Sequence, residues 1–197
     1  MTWQGWIWLF MFTLSPLAAQ TEFGVEEVLF TDLELALKTP HVVKRLSLAG
    51  QRLKKVPKEV FLLTNLVELD LSRNQIRTLP PEIAGLKRLS HLNVRNNQLE
   101  TLPPEICQLK RLTVLNLRKN DIWKLPECMF LLQKLEELNL SGTQIFKSPP
   151  ALLSMHWLRV LDVRGTPLMD SDKELLIQTL KDTQVQIDAG CNCGPNH

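Results

Sequence analysis

The 197 residues make one domain the natural expectation, and 44% apolar with 22% charged residues exclude a disordered or fibrous chain. Twenty-three basic residues against 21 acidic ones leave a formal charge of +2, so bulk charge gives no reason to expect nucleic acid or an acidic membrane as partner. Any electrostatic preference has to come from local placement.

The first 20 residues differ from the rest. Trp6 to Leu14 (WIWLFMFTL) carries no charge, Pro16 follows, and Ala18 and Ala19 precede Gln20. This is the pattern of a secretory signal peptide cleaved after Ala19 or Gln20, because the apolar run falls well short of the roughly 20 residues a spanning helix needs. Residues 1–5 contain no Lys or Arg, which leaves the terminal amine as the only positive charge ahead of the run. The expectation is an exported, periplasmic or extracellular chain with no stable membrane span. Residues 21–42 then read as an N-terminal helical cap: Thr31 to Glu34 has capping-box spacing at the start of TDLELALK, which ends before Pro40.

From Val43 to Leu168 the chain repeats itself every 23 residues, with units starting at Val43, Leu66, Leu89, Leu112, Leu135 and Leu158. The pattern LxxLxLxxNxLxxLPxxIxxLxx is plainest in LVELDLSRNQIRTLPPEIAGLKR (66–88) and LSHLNVRNNQLETLPPEICQLKR (89–111). Leu66, Leu69 and Leu71 and their equivalents point inward from a short strand, while Glu68, Asp70 and Ser72 alternate outward. Stacked units then share a parallel sheet. Asn74, Asn97 and Asn120 are placed to form a buried ladder that satisfies backbone groups of the turn, and Gln51, Thr143 and Thr166 weaken it in the outer units. Pro57, Pro80, Pro103, Pro126 and Pro149 fix the chain direction, and Ile83, Ile106 and Met129 begin the return on the convex side.

A terminal unit cannot bury its outer face alone, so residues 169–190 are expected to cover the last one. Ser171 to Glu174 has capping-box spacing at the start of SDKELLIQTLKD, with Leu175, Leu176 and Leu180 recurring at helical spacing as the covering residues. Val185 and Ile187 mark an edge strand. Residues 191–197 are a flexible cysteine-containing tail. Four cysteines in an exported chain could form two disulfides, but Cys107 and Cys128 lie inside the repeats while Cys191 and Cys193 crowd the end, a distribution unlike a disulfide framework. Cys191, Cys193 and His197 offer three ligands where a structural zinc site takes four, so no metal and no cofactor is expected.

On these motifs the chain resembles the leucine-rich repeat superfamily, in the subclass with 23-residue units and a Leu-Pro step found in Ras-suppressor and plant intracellular Ras-group repeat proteins, and is similar to small exported bacterial versions. The resemblance covers the repeats from Val43 to Leu168. It implies an α/β solenoid, a curved horseshoe arc with a parallel sheet on the concave face and short helical caps at both ends, serving as a ligand-binding scaffold. In multidomain relatives the resemblance places effector activity outside the repeats, so the repeats themselves are expected to bind rather than act.

The concave face has an outward column of Arg45, Glu68, His91, Val114, Glu137 and Val160, a second of Ser47, Asp70, Asn93, Asn116, Asn139 and Asp162, and a basic column that includes Arg95, Arg118 and Arg164 with Arg73 and Lys119 beside it. Catalysis has one constellation to test, His91 beside Glu68, and it lacks a nucleophile in the same column. Sugar binding could use the amide and carboxylate rows but has no aromatic in any concave column. The sharpest feature is Trp123 and Phe146, which share one repeat position where earlier units carry Lys54, Arg77 and Glu100. Two aromatics side by side on the rim, bordered by Arg118 and Lys119, are expected to bind an acidic or amphipathic protein segment, with Arg73, Arg95, His91, Asn93 and Asn116 on the flanking concave face. The expected protein is a monomeric, non-enzymatic protein-binding module; glycan or cell-wall binding is the alternative.

Overall fold

A computed structural model describes residues 28–188. The signal peptide read at 1–20 and the cysteine tail read at 191–197 lie outside them. Eight strands, β1 (Leu29–Phe30), β2 (Arg45–Ser47), β3 (Glu68–Asp70), β4 (His91–Asn93), β5 (Val114–Asn116), β6 (Glu137–Asn139), β7 (Val160–Asp162) and β8 (Gln184–Gln186), form one sheet in sequential order. Every neighbouring pair is parallel. Leu46, Leu69, Leu92, Leu115, Leu138 and Leu161 are register partners along the sheet and are almost fully buried. A three-residue strand is enough because each turn needs only one inward side chain between two outward ones. The first strand was not legible as a strand, since Leu29 and Phe30 fall outside the 23-residue period.

The return path is short and tight. Segments Lys58–Leu62, Pro81–Gly85, Pro104–Gln108 and Glu127–Leu131 are 3-10 helices, each opened by a proline. The ring fixes φ and the missing N–H falls where a helix start has no use for it. Val60, Ile83, Ile106 and Met129 are fully buried inside these segments, and the following leucine closes each with an N–H bond to that residue's carbonyl. The fifth unit forms a short α-helix instead, Pro150–Leu153.

The asparagine ladder is present and fully bonded. Asn97 Oδ1 accepts from Ile76 N at 3.0 Å, and its Nδ2 donates to Leu71 O and Val94 O, both at 2.9 Å. Asn74 and Asn120 repeat the pattern on their own turns. Thr143 and Thr166 bond only their own turn, to Leu140 O and Val163 O, and Gln51 is exposed and reaches out to Thr31 O. Just before the ladder position every unit passes through positive φ, at Gly50, Arg73, Asn96, Lys119, Gly142 and Gly165. Three of these are not glycine and accept the steric penalty of a left-handed backbone, held there by N–H bonds to the next turn such as Lys119 N to Ser141 O at 2.8 Å.

Both caps differ in detail from the expected ones. Helix α1 (Leu33–Lys38) is capped by Asp32, not Thr31: the Asp32 carboxylate accepts from Glu34 N and Leu35 N. At the other end, the helix Asp170–Thr179 begins one residue before Ser171 and has no side-chain cap, because the capping position falls on Met169, while Asp172 accepts from Ser148 N in the preceding turn. Leu176 and Leu180 are buried as expected, but Leu175 remains 42% exposed. Lys173 is buried in its place, its ammonium reaching Asp170 and Asp188. Asp188 also closes the open end of the turn ladder by accepting from Gly165 N.

Cys107 and Cys128 form a disulfide between adjacent return segments, their Cα atoms 5.9 Å apart. The sequence distribution had argued against such pairing. The two sulfurs meet because the residues are 21 apart, two short of the period, and the 3-10 turn brings those two positions together.

Candidate functional site

The outward concave columns hold more internal bonding than their residue types reveal. Asp70, Asn93, Asn116, Asn139 and Asp162 each accept, through a side-chain oxygen, the backbone N–H two residues on. This column sets the turn after each strand. Asn93 and Asn116 therefore have their Oδ1 engaged, which leaves Nδ2 as the side-chain donor each presents on this face. Ser72 and Ser141 of the next column are buried. A hollow of about 270 Å³ on this face is lined by Glu68, Asp70, His91, Asn93, Val114 and Asn116.

His91 is the register partner of Glu68, yet the two do not form a dyad. The Glu68 carboxylate bonds Arg45 Nε at 2.7 Å, and His91 Nδ1 lies 2.7 Å from Ser90 Oγ. Ser90 is the hydroxyl that column counting missed, because it sits on the residue before the strand. Ser90 Oγ also lies 3.2 Å from Val67 O, and which atom donates in the Ser90–His91 pair depends on the imidazole tautomer.

At the carboxyl end of the sheet, Arg118 and Lys119 line a hollow of about 380 Å³ with Ser141, Gly142, Arg164 and Gly165. Arg73 is exposed two turns before Lys119, and Arg95 is half-buried with its Nε enclosed and without a hydrogen-bond partner among the described residues. Arg164 is tied to Asp162, Nη2 to Oδ2 at 2.7 Å and Nε to Oδ1 at 2.9 Å. Burial pushes the Asp162 carboxyl up, but the Arg164 side-chain and backbone hydrogen bonds and charge, with a further contribution from Arg118, hold it below the usual aspartate range. A carboxyl depressed on folding stabilises the protein above the unfolded value, near pH 3.9, and loses that contribution as pH falls through the lower folded value. The stability gap between the native chain and Asp162→Asn is therefore expected to be constant at neutral pH and to close below about pH 4 in urea titrations at stepped pH. A gap that widens in acid would contradict the ion-pair account.

Trp123 and Phe146 occupy the loop that leads from the ladder to the convex side. Trp123 N donates to Glu100 O and Gln144 N to Ile122 O, and Thr101 pairs with Lys124 as an isolated parallel bridge, so this rim is stitched turn to turn. The two side chains are 51% and 58% exposed. They do not fold over the Leu-Pro turn to shield it. Together with Leu125, Pro149, Pro150 and Ala151 they line a groove of about 260 Å³. It shares Lys124, Leu125 and Glu127 with a second hollow of about 420 Å³ lined by Leu102, Pro104 and Cys128, so apolar wall extends over three turns. The cations bordering the aromatic groove are Lys124 and Lys147; Arg118 and Lys119 line the separate hollow above. Met169 stands at the same repeat position as Trp123 and Phe146 and is 59% exposed; counting 23 on from Phe146 would have found it.

Among the described residues no group of three His, Cys, Asp or Glu side chains could hold a metal ion, and no helix is long and apolar enough to cross a membrane. The leucine rich repeat family signature matches residues 41–99 and 87–145, more than half of the chain. A leucine-rich repeat protein of Leptospira interrogans is similar in structure, with a TM-score of 0.61, 27% identity, and 81% of this chain matched to 54% of that one. The ectodomain of the Arabidopsis thaliana receptor kinase GASSHO1/SCHENGEN3, solved with CASPARIAN STRIP INTEGRITY FACTOR 2, gives a TM-score of 0.62 at 29% identity over 74% of this chain and 18% of that one. An internalin (inlF) of Listeria monocytogenes shares the fold at a TM-score of 0.56 and 22% identity, over 81% of this chain and 53% of the other. The chain thus spans about half or less of the length of these proteins. Among curated proteins none is significantly similar in sequence.

Proposed function

Because the chain belongs to the leucine-rich repeat family, in which the repeat is a common protein-protein interaction module, we propose that it is a non-enzymatic binding protein that holds an acidic or amphipathic protein segment on the Trp123–Phe146 rim. The observation that carries the reading is the exposure of two large aromatics on adjacent turns, beside a groove walled by Leu125 and two prolines. Exposed aromatics in a fixed backbone lose little conformational freedom on binding and are frequent anchors of interfaces. Amide donors of Asn93 and Asn116, with His91, Arg73, Arg95, Arg118 and Lys119, form the flanking polar surface. The alternative reading, glycan binding on the concave face, has no aromatic in the strand columns on which a sugar ring could stack. Export is part of the proposal: the Cys107–Cys128 disulfide suits an oxidising compartment, and the charge-free run at the start of the chain has the pattern of a signal peptide that would deliver it there.

The test uses the partner recovered by cross-linking from the native exported fraction. Trp123→Ala is expected to weaken binding to it by about 2 kcal/mol, about thirtyfold, with an unchanged melting temperature. A variant that melts lower but binds with full affinity would assign the ring to packing and end the proposal.

A further inference from the structure

We infer that the bound segment lies lengthwise along the rim, with its acidic residues over the first two turns and its apolar residues over the last three, an inference that rests on the rim reading above. One repeat position carries it. In successive units that position holds Lys54, Arg77, Glu100, Trp123, Phe146 and Met169, two cations, one carboxylate and then three apolar side chains, with Lys124 and Lys147 bordering the apolar end. Lys54, Lys55 and Arg77 surround a hollow of about 520 Å³ with Gln75, Thr78 and Gln98. None of the three cations forms an ion pair with a described residue, and Arg77 bonds only the neutral amide of Gln98, at 3.3 Å. They are charged groups left in water, available to a carboxylate without first breaking a bond. Three turns on, Trp123, Phe146 and Met169 are each more than half exposed. Glu100, between the two halves, repels an acidic side chain there and favours its placement over the first two turns.

The dimensions fit a single stretch of chain. Turn-to-turn bonds on the rim, Trp123 N to Glu100 O and the Thr101–Lys124 bridge, keep the spacing close to that between strands. Five such steps from Lys54 to Met169 span about 24 Å, the reach of roughly seven or eight extended residues at about 3.3 Å each. A short segment with an acidic block followed or preceded by an apolar block satisfies both halves at once.

Three synthetic peptides of identical composition test this: four Glu before four apolar residues (two Phe, two Leu), the same blocks in reverse order, and Glu alternating with the apolar residues. Anisotropy titrations with the full chain are expected to show one block peptide binding about tenfold tighter than the alternating one, an advantage that shrinks between low salt and about 0.5 M salt. The double substitution K55E/R77E is expected to remove both the advantage and its salt dependence. Trp123→Ala is expected to weaken binding while leaving the salt dependence in place. Equal affinities for the three peptides, no binding by any of them at millimolar concentration, or an advantage that survives K55E/R77E would overturn the inference. If K55E/R77E leaves capture of the native partner unchanged while Trp123→Ala abolishes it, the bipartite arrangement falls and the rim site stands.

Discussion

Asn97→Ala is expected to lower stability by about 3 kcal/mol, and Thr166→Ala by about 1 kcal/mol, read as the shift of the urea midpoint at constant slope. The asparagine is in the middle of the solenoid and mostly buried. Removing its amide strands the N–H of Ile76 and takes one of two donors from each of the Leu71 and Val94 carbonyls, which keep Asn74 Nδ2 and Asn120 Nδ2. A buried N–H left without a partner costs about 1–3 kcal/mol, and the two further hydrogen bonds lost bring the total to about 3 kcal/mol. Thr166 Oγ1 bonds a single carbonyl, that of Val163 in its own turn, which also accepts from Thr166 N, so its loss removes one bond and strands no group. Equal midpoints for the two variants would show that the ladder does not tie the turns together.

A still larger effect is expected when the chain is cut before Ser171. The truncated protein should aggregate or unfold in part, visible as loss of the monomer peak in size-exclusion chromatography. Leu176 and Leu180 are buried against the last turn, and two leucines are worth about 3–6 kcal/mol of apolar burial. The cut also removes β8, whose edge pairs with β7, the Thr183 hydroxyl that donates to Leu158 O, and the Asp172 and Asp188 carboxylates that satisfy Ser148 N and Gly165 N. Leu158, Leu161 and Leu168 would then face water. A truncated chain that stays monomeric and melts where the full chain does would mean that this helix covers nothing.

The repeat was legible because every unit solves the same burial problem with the same residue types, so inward leucines, ladder asparagines and turn prolines stand at one spacing. What the spacing hides is anything that departs from it. The Cys107–Cys128 bond joins two different repeat positions, and aligning units places its cysteines apart. Strand β1 precedes the first unit and has no repeat to compare with. Lys173 reads as a solvated helix residue until Asp170 and Asp188 come within reach of its ammonium, which lets it cover the core in place of Leu175. In the candidate site, the exposure of Trp123 and Phe146 followed from the charged residues at that position in earlier turns. The turn-setting bonds of Asn93 and Asn116 did not, because an outward polar residue looks the same in sequence whether its oxygen is taken or free. The pairing of Glu68 with Arg45 rather than His91 was equally out of reach, since both neighbours are one strand away and only side-chain geometry chooses between them.

Affinity for the cross-linked native partner and thermal melting, measured side by side for Trp123→Ala and His91→Ala, separate a rim site from a concave one most directly. Both side chains are exposed, so both variants are expected to melt with the native chain. Trp123→Ala should lose about thirtyfold in affinity and His91→Ala less than about threefold. A large loss for His91→Ala with none for Trp123→Ala would move the binding surface to the concave sheet and contradict the rim site.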